Sequence, residues 1–413
     1  MILKLKTFAL RHKLLPLIIG SIYLYLFAVV NKGQLFGADE ITYHYHTVDF
    51  TMGFCTKILQ GEIYRRLVGV YTEKAMNLYL NVLFFVFICL LSVLLERFLN
   101  AMPRQYVKSS LFLLFLFITG PFTLATFVDE FGLLDFYWIL FTVVSLFFLK
   151  HKIFRWLIPV NLFLTILIHY SSVFCYVAGV ILLILFMAVR ESDRKEKKQL
   201  FGLFTVSSLS SVAEVLYFVR FERENLRYPM EIFHKILLSR GTDYFRYYDF
   251  AFYKAEKLDH MENVLAYSDV PDFIPEGTIR DVYYQIAVSL RLNTFEYYWF
   301  YYILAAFLFL LLVCVLIYAI RHTDHKGKKF TEILMIALFF CIPLVGVFFS
   351  TDTMRWIAHA FIILFGYVFY LLFYECRDVL EKLERFLKSY YYPVAVFCLI
   401  YCFTTVHIYS IGT

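Results

Sequence analysis

The sequence predicts an all-α, polytopic membrane protein, and three of its features carry that prediction. It is 61% hydrophobic and only 17% charged, whereas a soluble domain is about half apolar and about a quarter charged. Its apolar residues are gathered in runs long enough to cross a bilayer, which takes roughly 20 residues of helix. Its basic residues are gathered in short segments between those runs, as in the cytoplasmic loops of membrane proteins.

Eleven segments of the chain are apolar enough to be spans. The short polar tip His169-Tyr-Ser-Ser172 separates the fifth from the sixth, so these two are expected to form a tight helical hairpin. The basic N-terminus is followed by no small-x-small cleavage site, so the first apolar run is interpreted as a retained span rather than a signal peptide. The predicted spans are 15–31, 78–96, 109–127, 132–149, 154–169, 172–189, 200–219, 296–320, 332–350, 356–375 and 390–409.

The distribution of basic residues predicts the orientation of these spans. Clusters of Lys and Arg precede the first span and follow the second, fourth, sixth, eighth and tenth. All of them fall on one side of the membrane if the N-terminus is cytoplasmic. The outer side then receives two long loops, in which apolar residues spaced by three or four predict amphipathic helices at the membrane surface. The outer segments are the loops 32–77 and 221–295 and the tips at Asp129-Glu130, His169 and Thr351–Arg355.

Charged and histidine side chains recur at the water end of these outer segments. Charge buried in a membrane is costly and usually functional, although a carboxylate at the interface can simply end a helix. The convergence of several such tips on one leaflet favours a site. The candidate residues are Asp39, Glu40, His44, His46 and Asp49 after the first span, Asp129 and Glu130, His169, and Asp352 with Arg355.

These residue types suit the transfer of a sugar from a lipid phosphate. A carboxylate can take the proton of a sugar hydroxyl as it attacks an anomeric carbon. A phosphate leaves as a stable anion without a general acid, but it needs cations, and arginine binds it best through two parallel hydrogen bonds. Asp39 or Glu40 would be the base, and Arg355 or the pair Arg65-Arg66 would hold the phosphate.

Several of these residues have a second interpretation. Arg65 and Arg66 lie on the side opposite to the basic loops, where they either bind substrate or anchor a helix to anionic headgroups. Asp352 either caps the tenth span and pairs with Arg355 or orients that arginine towards a phosphate.

The histidines and an intramembrane acid also allow alternatives. His44 and His46 could bind a metal, but two positions apart on a helix they point in different directions. Hydrogen bonding to sugar or phosphate is therefore preferred, and no metal or other cofactor is expected. His169 would pack, cap a helix or contact substrate. Glu214, in the seventh span, is either hydrogen-bonded among helices or part of a cavity.

The eight cysteines and the net charge of +6 add little to this interpretation. The cysteines have no CxxC spacing and fall mainly in apolar runs, so they are interpreted as packing residues. The basic residues lie between spans, so no nucleic-acid partner is expected. Partners are instead membrane lipids and the substrates.

The acidic stretch Phe36-Gly-Ala-Asp-Glu40, the long outer loop 221–295 after the seventh span, and the acidic tip Asp129-Glu130 together resemble the GT-C superfamily of polytopic glycosyltransferases. The resemblance covers residues 1–320 as a transmembrane catalytic module, to which 321–413 add C-terminal transmembrane helices. It implies an inverting hexosyl- or pentosyltransferase without a cofactor. Its donor would be a polyprenyl-phosphate-linked sugar and its acceptor a glycan, lipid or protein at the outer or lumenal face.

Two other functions remain open. Asp352-x-x-Arg-Trp356 and the tip at His169 are similar to capsule and O-antigen polymerases of bacterial polysaccharide loci. That likeness implies polyprenyl-diphosphate-linked repeat units, with Arg355 on the diphosphate. A lipid-linked glycan transporter or flippase is the interpretation from another class, but no repeat is visible in the chain. Strong Phe, Tyr, Ile and Lys usage favours a bacterial inner membrane over the endoplasmic reticulum. The sugar, the acceptor and the oligomeric state are left open.

Overall fold

The fold is known from a computed structural model, and every regular element in the residues that it describes is a helix. The description covers most of the first long loop and of the helical bundle. It comprises residues 15–24, 37, 40–54, 58–101, 108–109, 111–112, 115, 134–221, 235–236, 239–240, 307, 310–318, 320–321, 329–349, 353–374 and 377–400.

Eleven α-helices are numbered here in chain order. Three short 3-10 segments, Phe50–Met52, Phe154–Leu157 and Tyr170–Phe174, lie between them. The helices are α1 (Leu15–Leu24), α2 (Glu40–Tyr45), α3 (Leu59–Leu67), α4 (Glu73–Ala101), α5 (Leu134–Leu149), α6 (Ile158–Ile168), α7 (Tyr176–Arg190), α8 (Arg194–Phe221), α9 (Lys329–Phe349), α10 (Thr353–Tyr374) and α11 (Arg377–Ser389).

The all-helical character predicted from the sequence is confirmed in the described residues, and their apolar helices support the predicted membrane character. Three described helical stretches are long and apolar enough to cross a bilayer: Glu73–Arg97, Tyr170–Arg190 and Arg194–Phe218. Shorter apolar helices cover Leu134–Leu149, Phe154–Ile168, Trp356–Val368 and Tyr391–Ile400. The count of eleven spans and their orientation stay predictions, because much of 102–133 and all of 241–306 lie outside the described residues.

Neighbouring helices run in opposite directions, so the bundle has two distinguishable ends. Helices α5 and α6, α7 and α8, and α9 and α10 pack against each other as consecutive pairs, and α8 also packs on α6. The starts of α4, α5, α7 and α10 and the ends of α6 and α8 meet at one end. This end, which also receives the chain from α2 to α3, is called the loop end below.

Buried ion pairs join the helices at the opposite end. Arg190 Nη1 lies 3.1 Å from Glu332 Oε1, which links the end of α7 to the start of α9. Arg155 donates to Glu196 at the start of α8. Both arginine side chains are at most 6% exposed. A buried charge is tolerated only when it is paired, so these contacts fix how the helices meet here.

The described part of the first long loop is largely helical, as predicted, but the face that α3 buries is only partly apolar. Glycine at position 61 lets α3 lie directly on the preceding chain, because a Cβ there would be 1.7 Å from the carbonyl oxygen of Val48. The buried face of α3 includes Gln60 and Glu62, while Leu67 is 71% exposed. The spacing of apolar residues therefore predicted the helix but not its full orientation, since the buried face of α3 combines Leu59 and Tyr64 with the polar Gln60 and Glu62.

Candidate functional site

A fully buried carboxylate, Asp49, organises the loop end. Its Oδ2 accepts a hydrogen bond from Arg240 Nη1 at 2.8 Å and lies 3.4 Å from Arg65 Nε. Its Oδ1 accepts from the Thr51 backbone N–H at 2.8 Å, so Asp49 also caps the 3-10 segment Phe50–Met52. Asp49 thus holds two guanidinium groups while its own position is set by the backbone.

A second buried carboxylate, Glu62, pairs with Arg65 and Arg66 of its own helix. It accepts from Arg65 at 2.8 and 3.1 Å and also from Arg66. Burial opposes ionisation of Glu62, but the hydrogen bonds from the two arginines outweigh it, so its pKa lies below the usual value. We call the five residues the arginine patch: Asp49, Glu62, Arg65, Arg66 and Arg240.

The arginine patch carries more positive than negative charge, and two of its three arginines, Arg65 and Arg66, are its most exposed groups. The carboxylates of Asp49 and Glu62 are 0% and 5% exposed, whereas the Arg65 and Arg66 side chains are 35% and 71% exposed. Buried acceptors therefore orient guanidinium groups that still have nitrogens facing outwards. Such a surface suits an anion with several oxygens, above all a phosphate.

Arg240 brings the two long loops together. It comes from the segment 221–295, and it donates to the backbone oxygen of Thr47 as well as to Asp49. Its guanidinium lies 5.0 Å from the centre of the Tyr71 ring, a cation–π contact. The sequence singled out Asp49, Arg65 and Arg66 but missed Arg240, because a pairing across 191 residues leaves no local pattern to detect.

His46 anchors the loop in the bundle. Its Nδ1 lies 2.7 Å from the Thr42 carbonyl oxygen and its Nε2 lies 2.6 Å from the Tyr137 hydroxyl. Because a carbonyl only accepts, Nδ1 carries the proton, and neutral His46 accepts from Tyr137. Burial lowers the pKa of His46 to about 4. Both nitrogens are engaged and the side chain is fully buried, so His46 positions the loop and does not itself reach a substrate or metal in this conformation.

Tyrosines surround His46 and connect the loop to α4 and α5. The rings of Tyr64, Tyr79 and Tyr137 lie 5.6–6.2 Å from the His46 ring. The Tyr79 and Tyr137 hydroxyls are 3.2 Å apart. The arginine patch consequently rests on a packed aromatic layer and is held to two helices of the bundle.

A buried pair of polar side chains, Asp135 of α5 and His359 of α10, lies at the same end of the bundle. His359 Nε2 of α10 is 3.3 Å from Asp135 Oδ1, and both side chains are fully buried. Its Nδ1 is 3.0 Å from the Tyr176 hydroxyl of α7. The sequence interpretation chose charges at the neighbouring tips and missed this pair. An aspartate and a histidine inside apolar runs were the available signal.

The other predicted histidine, His169, caps the segment that follows it. Its Nδ1 accepts from the Ser171 backbone N–H at 3.1 Å, and its ring stacks on Tyr170 at 4.7 Å. This is the packing and capping interpretation of that residue. A contact between His169 and substrate stays a prediction, and its ring lies 6.3 Å from Trp138 at the same end of the bundle.

Glu214, in α8, is nearly fully buried, and in the described part of the chain neither of its carboxylate oxygens has a hydrogen-bond partner. The buried hydroxyls of Ser207 and Ser211 lie seven and three positions before it, respectively, on the same face of α8, and they lack partners in the same sense. Glu214 was predicted either to hydrogen-bond among helices or to line a cavity. The described residues supply no hydrogen bond that would support the first alternative.

Several predicted site residues have no described side chain. Asp39, Asp129, Glu130 and Asp352 lie outside the described residues, and only the backbone is described for Glu40, His44 and Arg355. Glu40 begins α2, the helix that leads to His46. A helical rise of 1.5 Å per residue puts it about 9 Å along the chain from that anchor.

Comparison with known proteins leaves the function to be argued from these contacts. The sequence matches no protein-family model, and neither a curated protein nor a solved structure matches the chain. The described residues contain no group of three or more His, Cys, Asp or Glu side chains that could hold a metal ion. The arginine patch is therefore the feature with the clearest ligand chemistry.

Proposed function

We propose that the protein is a multi-pass, inverting membrane glycosyltransferase. It would transfer a hexose or pentose from a polyprenyl-phosphate-linked donor to a glycan, lipid or protein acceptor at the outer face of a bacterial inner membrane. The proposal includes the eleven spans and the cytoplasmic N-terminus predicted from the sequence. The arginine patch carries it: exposed guanidinium groups stand on buried carboxylates at one end of an apolar bundle.

In this reaction the arginines bind the leaving group. The bond between the sugar C1 and the phosphate oxygen breaks, and the phosphate keeps the electron pair. Arg65 and Arg66 are held from behind by Glu62, so their outward nitrogens can pair with phosphate oxygens at little ordering cost. A lipid tail bound at this end can extend along the apolar helices, which keeps the phosphate at the interface.

The base is proposed to be Asp39, with Glu40 as the second choice. The acceptor hydroxyl attacks C1 from the face opposite the phosphate and loses its proton to this carboxylate, which inverts the configuration. Asp49 is unsuited to that role, because it is fully buried and its oxygens already accept from Arg240 and Thr51. It acts as a positioning residue for the arginines.

The remaining predicted residues would complete the site. Arg355, in the first turn of α10, is proposed as a further phosphate contact. Its neighbour Trp356 is buried with its ring 5.7 Å from that of His359, so this turn belongs to the loop end. Substrate contacts are proposed for the other candidates: His44, Asp129, Glu130, His169 and Asp352.

The test is transfer by the full-length protein in lipid nanodiscs, with a panel of polyprenyl-phosphate sugars and membrane extract as the source of acceptor. Release of free polyprenyl phosphate is measured by mass spectrometry. Asp39→Asn should lower kcat by about a hundredfold or more, the range of general base catalysis. Arg65→Ala should mainly raise the KM for donor. Arg65→Lys, which keeps the positive charge, should raise this KM less.

The control for Asp39→Asn is Glu381→Gln, which removes a carboxylate that is 49% exposed at the opposite end of the bundle. It should leave transfer unchanged. Full activity of Asp39→Asn would remove Asp39 from the role of base, and consumption of no donor in the panel would overturn the proposal. Product length separates single transfer from polymerisation, because a polymerase acting on polyprenyl-diphosphate repeat units makes a ladder.

A transporter or flippase for lipid-linked glycans is the second candidate. The buried Asp135–His359 pair and the buried Glu214 favour it, because ionisable groups inside a helical bundle often relay protons or bind substrate. Flux of a lipid-linked glycan in proteoliposomes without covalent product, abolished by His359→Gln, would support this function over transfer.

A further inference from the structure

An apolar cavity of about 830 Å³ lies away from the arginine patch, between α10, α11 and the helical residues 310–318 and 391–400. The arginine patch is at the loop end, where α10 starts, whereas this cavity is lined by residues from the middle of α10 and from α11. Its volume falls within the range of ligand pockets. We call it the α11 pocket.

Each helix gives the α11 pocket one continuous apolar stripe. Phe361, Phe365 and Val368 of α10 line it at positions separated by four and three, which is one face of a helix. On α11 the stripe contains Val379, Leu383 and Phe386 with the same spacing. The pocket is therefore built by regular helix faces, and its apolar lining matches hydrocarbon and not a polar metabolite.

The other face of α11 is charged. Glu381, Arg385 and Lys388 follow each other at intervals of four and three, and Arg385 donates to Glu381 at 2.7 Å. A short helix with one apolar and one charged face lies in the plane of the membrane interface, with its apolar face towards the acyl chains. The α11 pocket then lies beneath the interface, at the depth of lipid tails.

Among the described residues that line the pocket, Lys382 is the charged one. It is solvent-exposed, and its Nζ lies 4.5 Å from the centre of the Tyr318 ring, a cation–π contact that holds the ammonium group at the pocket edge. No carboxylate in the described part of the chain forms an ion pair with it. An uncompensated cation beside an apolar cavity is complementary to an anionic headgroup with its acyl chain.

We propose that the α11 pocket binds an anionic phospholipid, with one acyl chain in the cavity and the phosphate on Lys382. The predicted orientation puts α11 on the cytoplasmic side, where anionic lipids give the membrane a negative surface. The site is separate from the proposed donor site and holds whether or not the protein transfers sugars.

The experiment uses the full-length protein in nanodiscs with a phosphatidylglycerol that carries a photoreactive group in its acyl chain. Cross-links should map to peptides containing Phe386 and Phe397, both of which line the pocket. Phosphatidylglycerol should compete for the cross-link better than phosphatidylcholine of the same chains. Lys382→Gln should weaken that competition about fivefold, and Val394→Trp, which fills the pocket, should abolish the cross-link.

The matched control is Lys388→Gln on the same helix, which removes a lysine 3.9 Å from Glu384. It should leave the cross-link and the competition unchanged. Equal competition by both lipids, or cross-links spread over all apolar helices, would identify ordinary bulk lipid and overturn the proposal. Absence of cross-links at the pocket would mean that protein fills it, which overturns it equally. Unfolding temperatures in phosphatidylcholine nanodiscs verify that each variant is folded.

Discussion

The two ends of the bundle use the same residue types in opposite ways. At the opposite end, Arg155 and Arg190 are at most 6% exposed and lie among the helices that they join. At the loop end the carboxylates are buried, while Arg65 and Arg66 are 35% and 71% exposed. A buried arginine that is matched by a carboxylate serves the fold. An exposed arginine that is oriented from behind is available to a ligand.

The two ends also differ in where their partners come from. The Arg190–Glu332 pair joins two long helices of the bundle, so it is supported by packing on all sides. The arginine patch joins three pieces of loop, namely 47–51, α3 and Arg240. A site assembled from loops can change shape when substrate binds, whereas the opposite end supplies a rigid base.

Removing the central carboxylate at each end is the strongest test of this contrast. Asp49→Asn leaves Arg240 without its buried counter-ion, and Glu332→Gln does the same to Arg190. Each substitution should lower the free energy of unfolding by about 3 kcal/mol or more. Only Asp49→Asn should also reduce donor binding by the folded protein. Thermal unfolding in detergent and donor KM measure the two effects. An equal loss of donor binding in both variants would mean that the two ends do not differ in function.

The second prediction concerns the anchor of the loop and its pH dependence. The pKa of His46 is about 4 in the folded protein and about 6.5 when unfolded. Between pH 4 and pH 6.5, His46 therefore binds a proton in the unfolded state but not in the folded state. Stability from neutral His46 is complete above pH 6.5 and is lost as the pH falls towards 4, by about 3 kcal/mol in total.

The measurement is thermal unfolding of the native protein and of His46→Gln between pH 7 and pH 4. The native protein should lose its advantage over the variant across this window, because other titrating groups are common to both. A difference in unfolding temperature that stays constant with pH would contradict a buried, neutral His46.

The third prediction tests the contact of α3 with the chain below it. A methyl group at Gly61 would meet the Val48 carbonyl oxygen, so Gly61→Ala should displace α3 and cost about 1–3 kcal/mol. It should also raise the donor KM, since Arg65 and Arg66 move with α3. Gly366→Ala is the control, because no heavy atom lies within 4 Å of a Cβ there. Unchanged donor binding in Gly61→Ala would separate the arginine patch from the position of α3.

The smallest effect on stability is expected from exposed arginines, and here a matched pair exists. Arg66 and Arg385 are 71% and 72% exposed, and each bonds a glutamate four positions earlier. Replacing either by alanine should change stability by less than about 0.5 kcal/mol. Arg66→Ala alone should raise the donor KM, by about tenfold. Equal kinetics for the two variants would contradict phosphate binding at the loop end.

Part of the predicted grouping of outer segments is visible in the structure, whereas the site itself stays a proposal. The alternation of basic segments put loops 32–77 and 221–295 and the tip at His169 on one side. The contacts of Asp49 with Arg240 and of Trp138 with His169 bring these segments to one end of the bundle. His46 was predicted to contact substrate; it is fully buried in the structure, where it anchors the loop, and a contact between His46 and substrate stays a prediction.

The amino-acid sequence by itself determined that the chain is helical and that several helices are apolar enough to cross a membrane, because hydrophobicity and helical periodicity are local properties that can be read along the chain. It also marked Asp49, Arg65 and Arg66 as unusual. Only the tertiary structure decided that Arg240 completes their site, that His359 pairs with Asp135, and which face of α3 is covered. The first two depend on an ion pair or hydrogen bond between residues distant in sequence, and the third depends on the close approach of Gly61 to Val48. Packing selects all three, and local composition does not specify which residues will meet.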